Sequence, residues 1–212
     1  MRTSSYQGRE PDELHELARA AAHYPILKIK LGGLDDLASI EIIRQAAPLS
    51  RLRVDANGGW TFAIAQEMSS ALSGMNVELV EQPLPADDIE GYRALHAARY
   101  PIPIFADEPI KRANDVAAWA HCVDGVNIKL MKTGGIVGAL DAIATARAHG
   151  LQIMLGCMVE SSVGVAAAAA LAGLADFIDL DGPLLIANDP AVGLTFEGAN
   201  LIMPKGAGLG VE

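Results

Sequence analysis

Cysteine is scarce in this sequence. Cys122 and Cys157 lie in unrelated segments with no CxxC pair, which removes a disulfide framework and a thiolate zinc site from consideration and suits a reducing, cytoplasmic setting. Positive charge is short as well: 16 Lys and Arg stand against 26 Asp and Glu, a formal charge of −10. Nothing supplies a counter-charge for phosphates, so neither nucleic acid nor an anionic membrane is expected as the main partner. Long hydrophobic runs are missing too. The N-terminal MRTSSYQGREPDELHELARAAAHY is polar and helix-like, without the apolar core of an export signal. The most apolar later stretch, Val163 to Leu174, is about a dozen mostly alanine residues, short of the roughly 20 that cross a bilayer. It reads as a buried helix. No glycine-rich dinucleotide fingerprint follows the first strand-like runs, and the Gly134-Gly135 pair comes only after the sixth, so an open dinucleotide-binding sheet lacks its chemical signature.

What is present is a chain of 212 residues, 51% hydrophobic and 20% charged, able to bury a sizeable core and read as one domain over 1–212. Short aliphatic runs at 26–31, 52–54, 77–80, 102–105, 126–130, 152–155 and 177–180 read as strands, with a further one at 3–6. Between them, 35–47, 61–73, 88–98, 113–121, 136–149 and 162–172 carry helical periodicity, and another helix starts near Pro11, a residue favoured in the first turn. Strand-then-helix alternation implies parallel strands with right-handed crossovers. Eight strands then suggest an α/β fold of the (β/α)8 barrel type, for which this length is near the lower limit.

The informative feature is where charge sits. Lys28, Lys30, Asp55, Glu81, Asp107, Lys129, Asp179 and Asp181 all lie in or just past the C-terminal ends of these runs. Strands buried on both faces should avoid charge, and in barrels of this type the C-terminal rim is where active sites collect. Asp55 (RVDANGGW), Glu81 (VEQPL) and Asp107 (FADEPI) end three consecutive strands, so their carboxylates can converge on a cation. Hard oxygen ligands without a neighbouring His or Cys favour Mg²⁺, with Mn²⁺ as a substitute. Taken singly, each acid reads as a solvated loop residue or a helix cap.

In LKIKLGG, Lys28 and Lys30 are two apart and face the same side of a strand. Mutual repulsion, desolvation and a nearby metal would lower the pKa of at least one and supply a neutral base; Lys30, nearer the strand end, is the better placed. Lys129 (VNIKLMKTGGI) lies four strands further on, which in a closed eight-stranded barrel is the opposite side. Two bases facing opposite sides of one carbon can take a proton from one face and return it to the other, the chemistry of racemisation and epimerisation. A metal on the substrate carboxylate stabilises the enediolate that forms in between. Lys132 reads as an exposed or supporting loop residue, and Glu160 as a helix cap.

These residues together resemble the enolase superfamily, and within it the muconate-lactonizing-enzyme subgroup. The likeness rests on the KxK pair at Lys28 and Lys30, the carboxylates Asp55, Glu81 and Asp107, and Lys129 in its KxxKTGG context, and it runs from TSSY to the terminal GLGVE. It implies a modified (β/α)7β barrel of the enolase C-terminal type, and Asn57 and Glu108 as neighbours that order the metal and lysine shells. In dipeptide epimerases of the L-Ala-D/L-Glu type, a DxD motif binds the substrate's free amino group. The resemblance therefore implies that role for Asp179 and Asp181 and a small dipeptide as the partner. An Asp before Gly182-Pro183 is also ordinary turn chemistry. Alternatives on the same intermediate are o-succinylbenzoate synthesis, N-acylamino acid racemisation and cycloisomerisation. Superfamily members carry an α+β capping domain, mostly N-terminal of the barrel. This chain starts at the barrel, and 188–212 is too short to replace a cap, so a catalytically impaired, truncated barrel is the third reading. Apolar surface left at an uncapped mouth would favour association into homo-oligomers.

Overall fold

The structure, a computed structural model, describes residues 2–5, 9–33 and 35–212. It resolves into two compact units, 1–106 with 121–123, and 107–120 with 124–212.

The first unit alternates strand and helix from its start: β1 (Arg2–Ser5), α1 (Pro11–Ala21), β2 (Ile26–Lys30), α2 (Asp36–Ala46), β3 (Arg51–Asp55), α3 (Phe62–Ala71), β4 (Val77–Glu81), α4 (Ile89–Ala97) and β5 (Ile104–Ala106). Each strand pairs in parallel with the next. Local chemistry explains the helices. Pro11 opens α1, Asp12 and Glu13 lie in its first turn and Arg19 in its last, matching the helix dipole, while Leu14 and Ala18, one turn apart, are buried. Thr61 and Asp88 accept from the backbone N–H groups of Ile64 and Gly91 and so cap α3 and α4. The strand expected over 3–6 is observed as Arg2–Ser5; Tyr6 lies outside the described residues.

The second unit contains α5 (Ala113–Trp119), β6 (Gly125–Lys129), α6 (Leu130–Thr133), α7 (Ile136–Ala148), β7 (Gln152–Gly156), α8 (Ser162–Ala169) and β8 (Phe177–Asp179). Strands β6, β7 and β8 again pair in parallel. All five residues of β6 are buried, as expected of a parallel strand covered on both faces. The one-turn helix α6 was not anticipated. It ends on Gly134 (φ 78°) and passes through Gly135 (φ 103°) into α7, a path for which the GG pair supplies the conformations. The alanine-rich α8 is buried along Val165, Ala166, Ala168 and Ala169, but Val163 and Leu174, at the two ends of that apolar stretch, are exposed. Among the described residues no helix is long and apolar enough to cross a membrane. An antiparallel hairpin, β9 (Thr195–Glu197) with β10 (Asn200–Ile202), follows, turning at Gly198 (φ 59°); weak alternation over three-residue strands left it unread in the sequence.

Parallel register sets the charges in rows. In the first unit Lys30, Asp55 and Glu81 are successive partners across β2, β3 and β4. In the second, Lys129, Gly156 and Asp179 are partners across β6, β7 and β8.

Candidate active site

In the first unit the row of partners becomes a buried cluster. Asp55 and Glu81 are 0% exposed and Lys28 is 3% exposed. Lys28 Nζ lies 2.6 Å from Glu81 Oε2 and 3.2 Å from Asp55 Oδ2. Lys30 Nζ donates to the same Asp55 Oδ2 at 2.6 Å, from a side chain that keeps 30% of its surface in solvent. The two lysines therefore face one side, as their spacing requires, and Lys30 is the more open of the pair. The backbone N–H of Asn57 donates to Asp55 Oδ1 at 3.0 Å, and Asn57 adopts φ 47°, a left-handed conformation that Asn tolerates. Asp55 is thus held on both oxygens.

The second unit gathers Asp107, Lys129 and Lys132. Lys129 Nζ donates to Asp107 Oδ2 at 2.7 Å, and Lys132 Nζ to Asp107 Oδ1 at 2.5 Å and to the Asp107 carbonyl. Of the two readings of Lys132, the supporting one fits the structure and the exposed one does not. Its side chain is 12% exposed, because α6 turns it back onto the carboxylate that Lys129 also reaches. The i,i+3 spacing in KLMK was the available signal, and it needed a helical turn that one short segment does not announce. Burial alone would raise the Asp107 carboxyl, but the charges of Lys132 and then Lys129 outweigh it and hold the group down to about 2. Burial also pushes the Lys132 ammonium below lysine's ordinary value, against the pull of Asp107 and, more weakly, of Glu108. Glu108 therefore belongs to the surroundings of Lys132.

Asp179 and Asp181 are each 4% exposed. Asp179 closes β8, but Asp181 lies past the strand at the start of a 3₁₀ turn over Gly182–Leu185 and accepts from Leu184 N through its carbonyl at 2.9 Å. The pair is therefore split between a strand end and the turn that follows it. Both carboxylates act on Cys157. Burial first, and the charge of Asp179 next, push its thiol up to about 12. Glu160 accepts from Met158 N at 3.0 Å, and the first turn of α8 is instead satisfied by Asp189, which accepts from Ser162 N at 2.9 Å and from Ser162 Oγ at 2.6 Å. Sequence offered no sign of a cap arriving from 27 residues downstream.

The donor chemistry suits a hard cation. Asp55 and Glu81 offer only oxygen donors, buried and adjacent, and each has a lysine amino group beside it. Among the described residues, no three His, Cys, Asp or Glu side chains stand together as a set that could hold a metal ion.

Parallel strands followed by helices, with charge concentrated at the strand ends, define a chain of the (β/α)-barrel class. The chain belongs to the Enolase C-terminal domain-like family, which matches residues 12–212. It is 46% identical over 188 residues to an L-Ala-D/L-amino acid epimerase of Pedosphaera parvula, covering 88% of this chain and 54% of that protein. It is 49% identical over 174 residues to a hydrophobic dipeptide epimerase of a Flavobacteria bacterium, covering 79% of this chain and 49% of the relative. A solved dipeptide epimerase of Cytophaga hutchinsonii, in complex with Mg and D-Ala-L-Val, superposes with a TM-score of 0.91 at 30% identity over 100% of this chain and 60% of its own. The chain thus spans about half the length of the curated relatives it matches.

Proposed function

We propose that this chain carries the catalytic barrel of a Mg²⁺-dependent dipeptide epimerase working by two-base 1,1-proton transfer. The observation that carries the reading is the Lys28–Glu81–Asp55–Lys30 cluster, four ionisable side chains on three neighbouring strand ends, three of them buried. Burying charge costs several kcal/mol per ion, and an apolar replacement would commonly hold the strands as well, so such a cluster is better explained by chemistry than by stability. The relatives named epimerases support the choice of reaction.

In this reading Lys30 and Lys129 are the two bases. Each must be neutral at Nζ to accept the α-proton of the dipeptide's C-terminal residue, and each returns a proton from the ammonium form. Lys28 bridges the carboxylates of Asp55 and Glu81 and so aligns them. Asp55, Glu81 and Asp107 would hold Mg²⁺, which offsets the negative charge developing on the substrate carboxylate as the proton leaves. Asn57 fixes the Asp55 carboxylate, and Glu108 adds negative charge near Lys132. Asp179 and Asp181 would receive the dipeptide's free ammonium group, for which two buried acids are a fitting counter-charge.

The test is α-proton exchange in D₂O with Mg²⁺ and either L-Ala-L-Glu or L-Ala-L-Leu, followed by NMR, with Lys129→Ala as control. Deuterium entering the C-terminal residue's α-position together with the other epimer, and loss of epimer formation in the control, is the expected result. Epimerisation that survives Lys129→Ala overturns the two-base assignment.

A further inference from the structure

The turn that leaves Lys30 is built on a buried carboxylate outside the cluster. Asp36, the first residue of α2, is 6% exposed. Its Oδ2 accepts from Gly32 N at 2.9 Å and from the indole Nε1 of Trp60 at 2.6 Å, and its Oδ1 accepts from Gly33 N at 3.0 Å. Trp60, 2% exposed, belongs to the NGGW turn that leaves Asp55, and its own N–H donates to Pro83 O at 3.1 Å. The two turns touch backbone to backbone: a Cβ on Gly59 would stand 2.7 Å from Gly32 Cα. Leu31 N donates to Asp55 O at 2.8 Å, so β2 and β3 are tied together up to the point where Asp36 takes over.

We propose that Asp36 and Trp60 are positioning residues for Lys30. The Asp36 carboxylate clamps Gly32 and Gly33, two of the residues that follow Lys30, to the turn after Asp55, and this holds Lys30 Nζ on Asp55 Oδ2. A lysine on a four-carbon stem that keeps 30% of its surface in solvent is only partly held by packing, so its direction depends on the backbone it leaves. A helix-start Asp commonly caps its own helix, but Asp36 directs its oxygens back to Gly32 and Gly33 and across to an indole 24 residues away. Three charge-assisted bonds on one buried carboxylate make a stiff joint, and a general base misplaced by about 1 Å loses on the order of 10²-fold in rate.

The inference rests on the reading of Lys30 as a base, and the test separates the two. Asp36→Asn puts an amide N–H against a backbone donor, and Trp60→Phe removes the indole donor while leaving both backbone bonds. In either variant, epimerisation in D₂O is expected to fall about 10²-fold in both directions. Exchange without inversion should persist for the one epimer whose proton Lys129 removes, the mirror of the pattern in Lys129→Ala. A purely structural role would depress exchange from both epimers alike, and that result overturns the proposal. The second readout needs no turnover: acylation of lysines in the folded protein at one pH, quantified peptide by peptide. Lys30 should label at least about threefold faster in both variants with Lys129 unchanged, since an amine freed from its carboxylate is more exposed. Unchanged labelling of Lys30 overturns the proposal even if the wild-type chain epimerises dipeptides. Faster labelling in a wild-type background that exchanges no dipeptide would sustain the positioning role and sink only the reaction. If Asp36→Asn does not fold by circular dichroism, Trp60→Phe carries both readouts.

Discussion

Lys129 Nζ donates to Asp107 Oδ2 at 2.7 Å while Lys132 holds the other oxygen of the same carboxylate. Two ammoniums on one buried acid keep it ionised to about pH 2, well below the ordinary 3.8. A depressed carboxyl contributes stability that is full above its unfolded value and is lost as pH falls through the folded one, here between about 4 and 2. Lys132→Met removes the ammonium that lowers the Asp107 carboxyl more. In metal-free protein this should raise the midpoint of acid unfolding and cost about 1–2 kcal/mol at neutral pH, read by circular dichroism against pH and urea.

Mg²⁺ that binds the folded chain through Asp55, Glu81 and Asp107 should stabilise it by mass action. At a hundred times its Kd the gain is about 2.7 kcal/mol, visible as a rise in Tm. Asp107→Asn should abolish the Mg²⁺-induced rise, and a shift of unchanged size would remove Asp107 from the ligand set.

Asp181→Asn tests the substrate class. Losing one charged partner of an ammonium is worth about 1.5–3 kcal/mol, so kcat/KM on a dipeptide should drop about 10- to 100-fold. Activity on an N-acylated amino acid, which has no ammonium to hold, should not change. Equal losses on both would mean that Asp181 shapes the turn at Gly182 and nothing more.

Glycine positions offer a contrast on stability. At Gly59 an added Cβ would meet Gly32 Cα at 2.7 Å and Ala56 O at 3.0 Å, whereas at Gly74 it meets nothing within 4 Å. Gly59→Ala should therefore cost about 2–3 kcal/mol through backbone overpacking. Gly74→Ala should be neutral or stabilise by about 0.5 kcal/mol through the unfolded state. Urea titrations of the two variants make the comparison.

The order of strands and helices was legible because it rests on local signals: aliphatic runs such as ILKIK and GVNIK, and caps such as Thr61 and Asp88, act within a few residues of themselves. The charged strand ends were legible for the same reason, since Lys30, Asp55, Glu81 and Lys129 each interrupt a run that should otherwise be apolar. Residue types and two-residue spacing even determined that Lys28 and Lys30 share a side. Tertiary structure alone decided which distant groups meet. Asp36 finds Trp60 across 24 residues, Lys132 finds Asp107 across 25, and Asp189 caps α8 across 27. It also placed Asp181 past the end of β8, at the start of the 3₁₀ turn over Gly182–Leu185. Hydrogen bonds and ion pairs depend on position to within about half an ångström. A sequence sets which groups can bond; only the packing of turns onto one another sets which of them do.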